Sequence, residues 1–382
     1  HRDLHSFPTR RSSDLVPAYV NETGDFDFYK KVLPYADQGQ ATVFSHLRRA
    51  LEFNLERTGK HGLPCGLSAD WNDCLRLGYY GESLFVAFQV RLGLTLLAEI
   101  AARLGLNEDR AWALQQRDQL DLAIQAVAWD GKWFIWAIAE DGVVYGTKNF
   151  EEGQVYFNTQ VWAVISGAAT PEQAETCLET VHEKLATPYG LMLCAPPFHK
   201  APVEVMRAVV FNPGIKENAG IFNHTQGWGI MAECLLGHGD RAYEYLRASL
   251  PAAYNDKAEI RQCEPYVQAQ TTYSTYSPRP GNTRTSWLTG AAAWSYYSAT
   301  QYLLGLRPGP DGLEIDPCIP ADWDGFHADR RFRWMNLSIH VHNPHHVNRG
   351  VAKMLIDGQP AEGDIVPGSL SACDHKIDVW LG

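Results

Sequence analysis

The sequence predicts a mainly α protein built as an α/α barrel, a toroid of helical hairpins, followed by a small C-terminal β region. Up to residue 308, apolar residues recur at helical spacing in successive segments joined by short loops. After residue 308 the apolar residues alternate with polar ones and Asp-Gly turns appear, as in short strands. We therefore expect the barrel over residues 16–308 and the β region over residues 309–382.

The individual elements follow from local patterns. Residues 41–57 carry an apolar stripe on one helical face, Gly105 and Gly305 stand where helices would end, and Pro171 occupies a favourable first helical position. Aromatic runs beside Asp-Gly pairs in residues 129–146 predict a β-hairpin inserted between helices. Helices are expected at 41–57, 81–104, 109–128, 158–166, 171–185, 227–236, 241–249 and 289–304.

The composition excludes several classes of protein. The 382 residues include 33 Lys and Arg against 44 Asp and Glu, and the net charge of −11 argues against a nucleic-acid or anionic-membrane partner. With 45% hydrophobic residues the chain is able to bury a large core, so disorder is excluded for most of its length. Charged residues interrupt the most apolar segment, residues 84–106, and we expect no membrane span.

Cysteine usage and the N-terminal residues set two further expectations. The eight cysteines show no repeated short spacing, so we expect neither a metal site nor a disulfide framework, but free thiols in a reducing compartment. Residues 1–15 lack the apolar segment of a signal peptide and resemble translated sequencing adapter. We expect these residues to be a non-native tail and the natural protein to begin further upstream.

A loop rich in Gly and Pro, residues 62–73, carries the densest set of functional groups. It ends in Asp70, Trp71, Asn72 and Asp73, which supply two carboxyl groups, an indole and an amide. Such a set suits sugar chemistry, because an indole stacks on a pyranose ring and a carboxyl group can protonate a glycosidic oxygen. The alternative is structural: Asp70 and Asn72 cap the following turn while Trp71 belongs to the core.

Two further strings place small or polar groups where a helix is expected to begin. His224 stands ahead of the helix predicted at 227–236, and Thr289 and Gly290 open the helix predicted at 289–304. Free backbone N–H groups and the helix dipole favour an anion at such positions, and glycine leaves the backbone amide unobstructed. In both cases a simple helix cap is the alternative interpretation.

In this order, the strings at 62–73, 213–228 and 282–294 resemble those of the glycoside hydrolase family 94 phosphorylases. The resemblance extends from about residue 16 to the C-terminus and includes the strings at 129–134, 264–270 and 311–320. It implies inverting phosphorolysis of a β-glucosidic disaccharide of the cellobiose type, in which inorganic phosphate attacks the anomeric carbon and α-glucose 1-phosphate is released. Because phosphate is itself the nucleophile, one catalytic carboxyl group suffices, and no metal or organic cofactor is expected.

The resemblance also implies roles for single residues. Asp73, the second aspartate of its loop, is the general acid, and Trp71 with neighbouring aromatic residues is expected to form an apolar wall that keeps Asp73 protonated. Phosphate is expected to bind His224, Thr289 and Gly290. Lys216 and Glu217 are implied to line the acceptor side, and the residues expected to contact the sugar are Asp70, Trp71, Arg207, Lys216, Glu217 and Gln270.

Several alternatives stay open at this stage. Arg207 with Lys216 suits a carboxylate-bearing acceptor, which would make the protein a cellobionic acid phosphorylase with gluconate as acceptor; a surface ion pair is the other explanation of Arg207. An inverting hydrolase would need a second carboxylate to activate water, and Glu217 is the nearest candidate.

The resemblance also bears on the protein as a whole. In that family a β-sandwich domain, a helical linker and the first part of an (α/α)6 barrel precede the segment found here. The resemblance therefore implies that residues 16–308 form a partial (α/α)6 barrel, and we expect this chain alone to be inactive, with sugar binding as its remaining property. The full-length form is expected to be a cytoplasmic homodimer whose small-molecule partners are a disaccharide and phosphate.

Overall fold

The computed structural model describes residues 6–67 and 70–382. Within these residues, helices follow one another along most of the chain up to residue 298. Their bounds are α1 Ser6–Thr23, α2 Val43–Leu55, α3 Leu84–Leu104, α4 Asn107–Val127, α5 Phe157–Ile165, α6 Pro171–Leu185, α7 Asn223–Leu235, α8 Gly239–Ser249, α9 Ala258–Arg261 and α10 Thr289–Ser298. Short 3-10 turns lie at Phe26–Lys30, Arg207–Val210 and Pro251–Lys257, and α10 continues into a π-turn, Ala299–Leu303.

Strands occupy the connections between the helices as well as the C-terminal part of the chain. Their bounds are β1 Val32–Pro34, β2 Gln40–Thr42, β3 Glu82–Ser83, β4 Ala137–Ile138, β5 Val144–Tyr145, β6 Val155–Tyr156, β7 Ala186–Thr187, β8 Gly190–Leu191, β9 Cys194–Ala195, β10 Ile221–Phe222, β11 Ala269–Thr272, β12 Thr283–Ser286, β13 Leu306–Pro308, β14 Gly312–Ile315, β15 Gly325–Phe332, β16 Met335–His342, β17 Val351–Ile356, β18 Gln359–Ala361, β19 Ile365–Pro367 and β20 Asp374–Leu381.

The prediction of a mainly α chain, a partial (α/α)6 barrel with a small β region, is wrong. The protein is 40% helical and 23% strand, so it is a mixed α and β structure. Many of the strands before residue 300 have only two to four residues. Such strands are too short to show the two-residue alternation from which a strand is recognised, and the sequence pattern therefore missed them.

The helix bounds agree more closely with the sequence patterns. Thr170 and Gln173 form a capping box at the start of α6, and Gly105 adopts a left-handed conformation directly after α3. Two helices differ from expectation. Helix α7 begins at Asn223, ahead of the predicted residue 227, and α10 ends at Ser298, where the π-turn replaces its last predicted turn.

The helices form two sets. Helices α3, α5, α7 and α10 follow one another in contact, while α4, α6 and α8 each pack against the helix that precedes them in the chain. Strands β3, β6 and β10 lead directly into α3, α5 and α7, so the short sheets stand at the N-terminal ends of these inner helices. Loops at this end therefore lie beside helix N-termini, the part of a helix that attracts anions.

The C-terminal strands form their own sheets. The larger sheet has five strands in the order β15, β16, β20, β17 and β18, and β16 and β20 run parallel to each other. A second hydrophobic core lies here and includes Phe332, Ile339 and Ile377, separate from the larger core of the helices. Alternation of buried and exposed residues along β16 and β20 reflects the pattern that predicted strands in this region.

Contacts at the far ends of α7 and α10 join the two cores. Arg349 donates from Nη1 to the carbonyl oxygens of Cys234 and Leu235 at the C-terminal end of α7, over 3.3 and 3.1 Å, and it forms an ion pair with Asp316. At the end of α10, Leu303 belongs to the helical core whereas Leu304 packs on the C-terminal core. The C-terminal region thus holds both helices at the ends opposite their N-termini.

Helix α3 has the length and hydropathy of a membrane span, the one such helix among the described residues. About 67% of its apolar window is buried inside the structure, against neighbouring helices. The apolar character of α3 is accounted for by its position in the core.

The cysteines are all free thiols. All but Cys263 and Cys373 are buried, and Cys373 is exposed in the C-terminal region. The buried cysteines therefore act as small apolar residues of the core.

Gly227 sets how closely α7 approaches α10. A Cβ atom at this position would lie 2.7 Å from the carbonyl oxygen of Trp294, which is inside van der Waals contact. Gly290, at the start of α10, has no atom within 4 Å of such a Cβ. Substitution of each of these two helical glycines by alanine therefore tests the close contact between α7 and α10, with Gly290 as the control.

We expect Gly227→Ala to lower the free energy of unfolding by about 1–3 kcal/mol, because the added methyl group forces the two helices apart. Gly290→Ala is expected to leave stability unchanged or slightly raised, since alanine favours a helix. Chemical denaturation of both variants checks this. Equal stability of the two variants would contradict the proposed close contact.

Candidate active site

The Asp70 carboxylate is the buried anchor of the loop that ends at residue 74. Its Oδ1 accepts hydrogen bonds from the backbone N–H of Asn72 at 2.8 Å and from the indole of Trp136 at 3.2 Å, and its Oδ2 accepts one from the Ser83 hydroxyl. Asn72, also buried, accepts in turn from the backbone N–H of Cys74. Asp70 and Asn72 therefore make the contacts expected of residues that cap a turn.

Ser83 connects this loop to helix α3. It is the N-cap of the helix, and its Oγ accepts from the backbone N–H of Val86 while it donates to Asp70. One hydroxyl thereby fixes both the first turn of α3 and the Asp70 carboxylate. Ser83 and Trp136 are site-supporting residues that the sequence reasoning missed; Ser83 was detectable as a helix cap, but its bond to Asp70 joins residues far apart in the chain.

Trp71 links the loop to the start of helix α7. Its indole N–H donates to Nε2 of His224 over 2.7 Å, and the two rings lie 5.3 Å apart. Because Nε2 accepts, the neutral imidazole carries its proton on Nδ1. Two residues that the sequence selected from separate motifs are thus in direct contact.

An aromatic cluster lies behind Trp71. The ring of Trp71 meets Phe222 edge-on at 5.0 Å and Trp228 at 6.4 Å, and Trp228 in turn contacts Trp162 and Trp294. Trp228 is completely buried. The cluster joins the inner helices to the loop and gives Trp71 a rigid backing.

The N-terminal ends of α7 and α10 carry the residues predicted to bind phosphate. His224 lies in the first turn of α7, and α10 begins at Thr289 and Gly290. The side chain of Thr289 lies outside the described residues. Gly290 is exposed, with open space where a Cβ would stand, and the close contact at Gly227 brings the two helices together.

Gln270 lies beside the junction that leads into α7. It is on β11, whose neighbouring residue Thr271 pairs with Phe222 of β10, and β10 ends directly before α7. Gln270 is half-buried. The sheet thus places it next to the helix start that carries His224.

Asp73 is brought together with Glu217. One ligand atom of each of Asp73, Cys74 and Glu217 lies within 4.8 Å of the others. Asp73 is exposed, Cys74 is buried and Glu217 is half-buried. Burial raises the pKa of the Cys74 thiol to about 12, so the thiol is neutral in the structure. We therefore treat this group as a pair of carboxyl groups beside a neutral thiol.

The expected apolar wall around Asp73 is not found, and that prediction is wrong. Asp73 is exposed, whereas the aromatic cluster packs behind Trp71 and Asp70. The side chains alternate in direction along the loop, so that burial of Asn72 and Cys74 leaves Asp73 on the open side.

A tight loop presents Lys216 and Glu217. Asn218, which is fully buried, holds this loop: its Oδ1 accepts from the backbone N–H of Phe198 at 2.7 Å, and its Nδ2 donates to the carbonyls of Phe198 and Phe211 at 2.8 Å. Lys216 has a left-handed φ of 48°, and its Nζ lies 5.3 Å from the centre of the Phe211 ring. The sequence reasoning missed Asn218, because its partners are distant in the chain.

Arg207 lies beside the loop through its backbone. Its N–H donates to the carbonyl of Cys74 over 3.1 Å, next to the bridge between Leu75 and Met206. The guanidinium is exposed, and its charge acts to lower the pKa of Cys74, although burial outweighs this effect. The charge of Lys216 lowers the pKa of Cys74 as well, so both cations lie near this thiol.

Comparison with known families identifies the class of protein. Residues 14–305 match the Glycosyl hydrolase 94 superfamily, catalytic domain. The chain belongs to this superfamily, and the resemblance found in the sequence motifs is confirmed.

Several curated relatives are phosphorylases by name. The chain is 38% identical over 387 residues to N,N'-diacetylchitobiose phosphorylase of Vibrio proteolyticus, covering 99% of this chain and 48% of that protein. It is 34% identical to solabiose phosphorylase of Paenibacillus borealis, covering 95% and 48%, and 30% identical to cellobionic acid phosphorylase of Neurospora crassa, covering 85% and 42%. The chain therefore spans about half the length of the curated relatives it matches.

Solved structures show likeness in fold alone. A sialidase matches with a TM-score of 0.64 at 15% identity, covering 97% of this chain and 34% of that chain. A family 78 rhamnosidase of Bacillus sp. GL1 matches with a TM-score of 0.54 at 16% identity, covering 90% and 33%.

We expect Asn218→Ala to lower the free energy of unfolding by about 2–4 kcal/mol, because it removes the side-chain hydrogen bonds and leaves buried backbone groups without partners. The exposed Asn149 is the matched control, and Asn149→Ala is expected to change stability by less than about 0.5 kcal/mol. Chemical denaturation measures both. Equal stability of the two variants would show that Asn218 does not hold the loop.

Proposed function

We propose that the full-length protein carrying this chain catalyses inverting phosphorolysis of a β-glucosidic disaccharide and releases α-glucose 1-phosphate. The hydrogen bond from Trp71 to His224 is the observation that carries the proposal, because it joins the loop of the proposed acid to the helix N-terminus proposed to bind phosphate. Membership of the superfamily, together with curated relatives that are named phosphorylases, supports the same reaction.

In the proposed reaction Asp73 is the general acid. It gives its proton to the glycosidic oxygen while the bond from that oxygen to the anomeric carbon breaks. A phosphate oxygen forms the new bond from the opposite face of the sugar, which inverts the configuration. The departing acceptor sugar keeps the proton, and Asp73 is left as a carboxylate.

Phosphate is proposed to bind where α7 and α10 begin. His224 carries its proton on Nδ1 when Nε2 accepts from Trp71, so the ring offers a donor suited to a phosphate oxygen. Gly290 leaves its backbone amide open, and the dipoles of both helices favour an anion. Inorganic phosphate is the proposed co-substrate, with no organic cofactor.

The acceptor sugar is proposed to lie towards Arg207, Lys216 and Glu217. Two cationic groups on this side suit an acceptor that carries a carboxylate, so gluconate from cellobionic acid is a specific candidate beside glucose from cellobiose. A relative named for cellobionic acid shares 30% identity, whereas one named for diacetylchitobiose shares 38%. The substrate panel below includes all three disaccharides.

We expect the full-length protein to release glucose 1-phosphate from cellobiose or cellobionate, and only when phosphate is present. Release of N-acetylglucosamine 1-phosphate from diacetylchitobiose instead would replace the glucosidic substrate by an N-acetylglucosaminide. Asp73→Asn is expected to lower kcat by at least roughly 100-fold while sugar binding persists, since a general acid contributes about 10²–10⁴-fold. Coupled assays of the sugar phosphate and calorimetric titration of sugar measure these quantities.

The control for this prediction is Asp256→Asn, at an exposed aspartate remote in sequence from the site, with wild-type kcat expected. Free sugar released without phosphate would replace the proposal by a hydrolase. Wild-type activity in Asp73→Asn would remove Asp73 from the role of acid.

We expect Gly290→Ala to raise the KM for phosphate roughly tenfold, the equivalent of about one lost hydrogen bond, because a methyl group enters the space proposed for the anion. The KM for the disaccharide is expected to stay unchanged. Steady-state kinetics with each substrate varied in turn makes the distinction. A phosphate KM equal to that of the wild type would place the anion elsewhere.

A further inference from the structure

Asp73 and Glu217 come from different loops, yet their carboxyl groups lie within 4.8 Å of each other. In the part of the chain that the structure describes, neither carboxylate has a Lys or Arg nitrogen within salt-bridge distance. Two carboxylates this close repel each other when both are charged. The pair is therefore stabilised when it retains one proton.

The surroundings of Glu217 favour the neutral form of that residue. Its Oε2 is buried and has no hydrogen-bond partner. Burial raises the pKa of Glu217 and outweighs the residue's own backbone N–H, which lowers it; the charge of Asp73 raises the pKa further, and Lys216 lowers it. Asp73 is exposed to water, where a charged carboxylate is well solvated.

The other titratable groups around the pair leave this balance in place. The buried thiols of Cys74 and Cys194 have pKa values raised to about 12, mainly by burial, and stay neutral. Lys216 and Arg207 are the cations that face this region. Neither forms a hydrogen bond with Glu217, so the buried oxygen keeps its preference for a proton.

The proposed acid therefore has an unusual position. Asp73, the proposed acid, must deliver a proton at each cleavage. The expected apolar wall is not there to retain that proton. Glu217 is the neighbouring group that can retain the proton.

We propose that Glu217 holds the proton shared by the two carboxyl groups at neutral pH and supplies it to Asp73, an inference that rests on the proposed function. Asp73 passes this one proton to the glycosidic oxygen as the bond to the anomeric carbon breaks, which leaves both Asp73 and Glu217 as carboxylates. Monohydrogen phosphate releases its proton to solvent when it becomes the sugar phosphate, and solvent returns one proton to Glu217. Glu217 acts through Asp73 and is a positioning residue.

The test is the pH profile of Glu217→Gln in the full-length protein. We expect the alkaline limb of kcat/KM to move to lower pH by roughly one unit, as removal of a like-charged neighbour predicts. On that limb the variant would then be about tenfold slower, and at about pH 5 it would approach the wild type. Glu183→Gln, at an exposed glutamate of α6, is the control and is expected to keep the wild-type profile.

A purely structural or acceptor-binding role of Glu217 would lower activity equally at every pH. If the pH profile of kcat/KM in Glu217→Gln has the same shape as that of the wild type, even at a lower absolute value, the inference is overturned. If the unmodified protein shows no phosphorolysis, the proposed function itself is contradicted. Failure of the proposed function is therefore distinguishable from failure of the inference about Glu217.

Infrared difference spectroscopy tests the proton itself without catalysis. The band of a protonated carboxyl group is expected at neutral pH in the unmodified protein and absent in Glu217→Gln. In Asp73→Asn the same band is expected to titrate at lower pH, because the repulsion from Asp73 is gone. Absence of the band in the unmodified protein, or its persistence in Glu217→Gln, would overturn the inference.

Discussion

The buried carboxylate of Asp70 is the contact on which the rest of the site depends. A carboxylate can be buried only when its oxygens are satisfied, and here a turn amide, the Trp136 indole and the Ser83 hydroxyl together do so. These donors come from the loop itself, from the strand region near β4 and from the cap of α3. The loop is thereby fixed against the start of an inner helix. Only with that loop in place does Trp71 reach His224 and does Asp73 face Glu217.

Much of the helical structure was predictable from local patterns. The bounds of α3, α6 and α8 follow from apolar spacing, a helix-ending glycine and a proline start, all of which act within a few residues. The sequence motifs also selected residues that the structure brings together, Trp71 with His224 above all. The placement of these motifs at helix N-termini was predictable for the same reason, since helix starts have a local signature.

The remaining features depend on contacts between distant parts of the chain. Two-residue strands carry no periodic signal, and for this reason the sequence pattern predicts a mainly α chain. A sugar contact of Asp70 stays a prediction, whereas the contacts of its oxygens in the structure come from donors as remote as Trp136. The approach of Asp73 and Glu217 likewise depends on how the loops that carry them pack together. The buried side chain of Asn218 holds the second of these loops in place. No spacing within either loop contains this information.

The Arg349 contact at the end of α7 gives the C-terminal sheet an influence on a site it does not touch. A helix the length of α7 is about 20 Å long at 1.5 Å per residue, and it behaves as a stiff rod. The N-terminal end of α7 carries His224, and Arg349 holds its C-terminal end. The residues after α10 pack into both hydrophobic cores at Leu303 and Leu304. A substitution that shifts the C-terminal region would therefore tilt both helix starts, although no residue at those helix starts has changed.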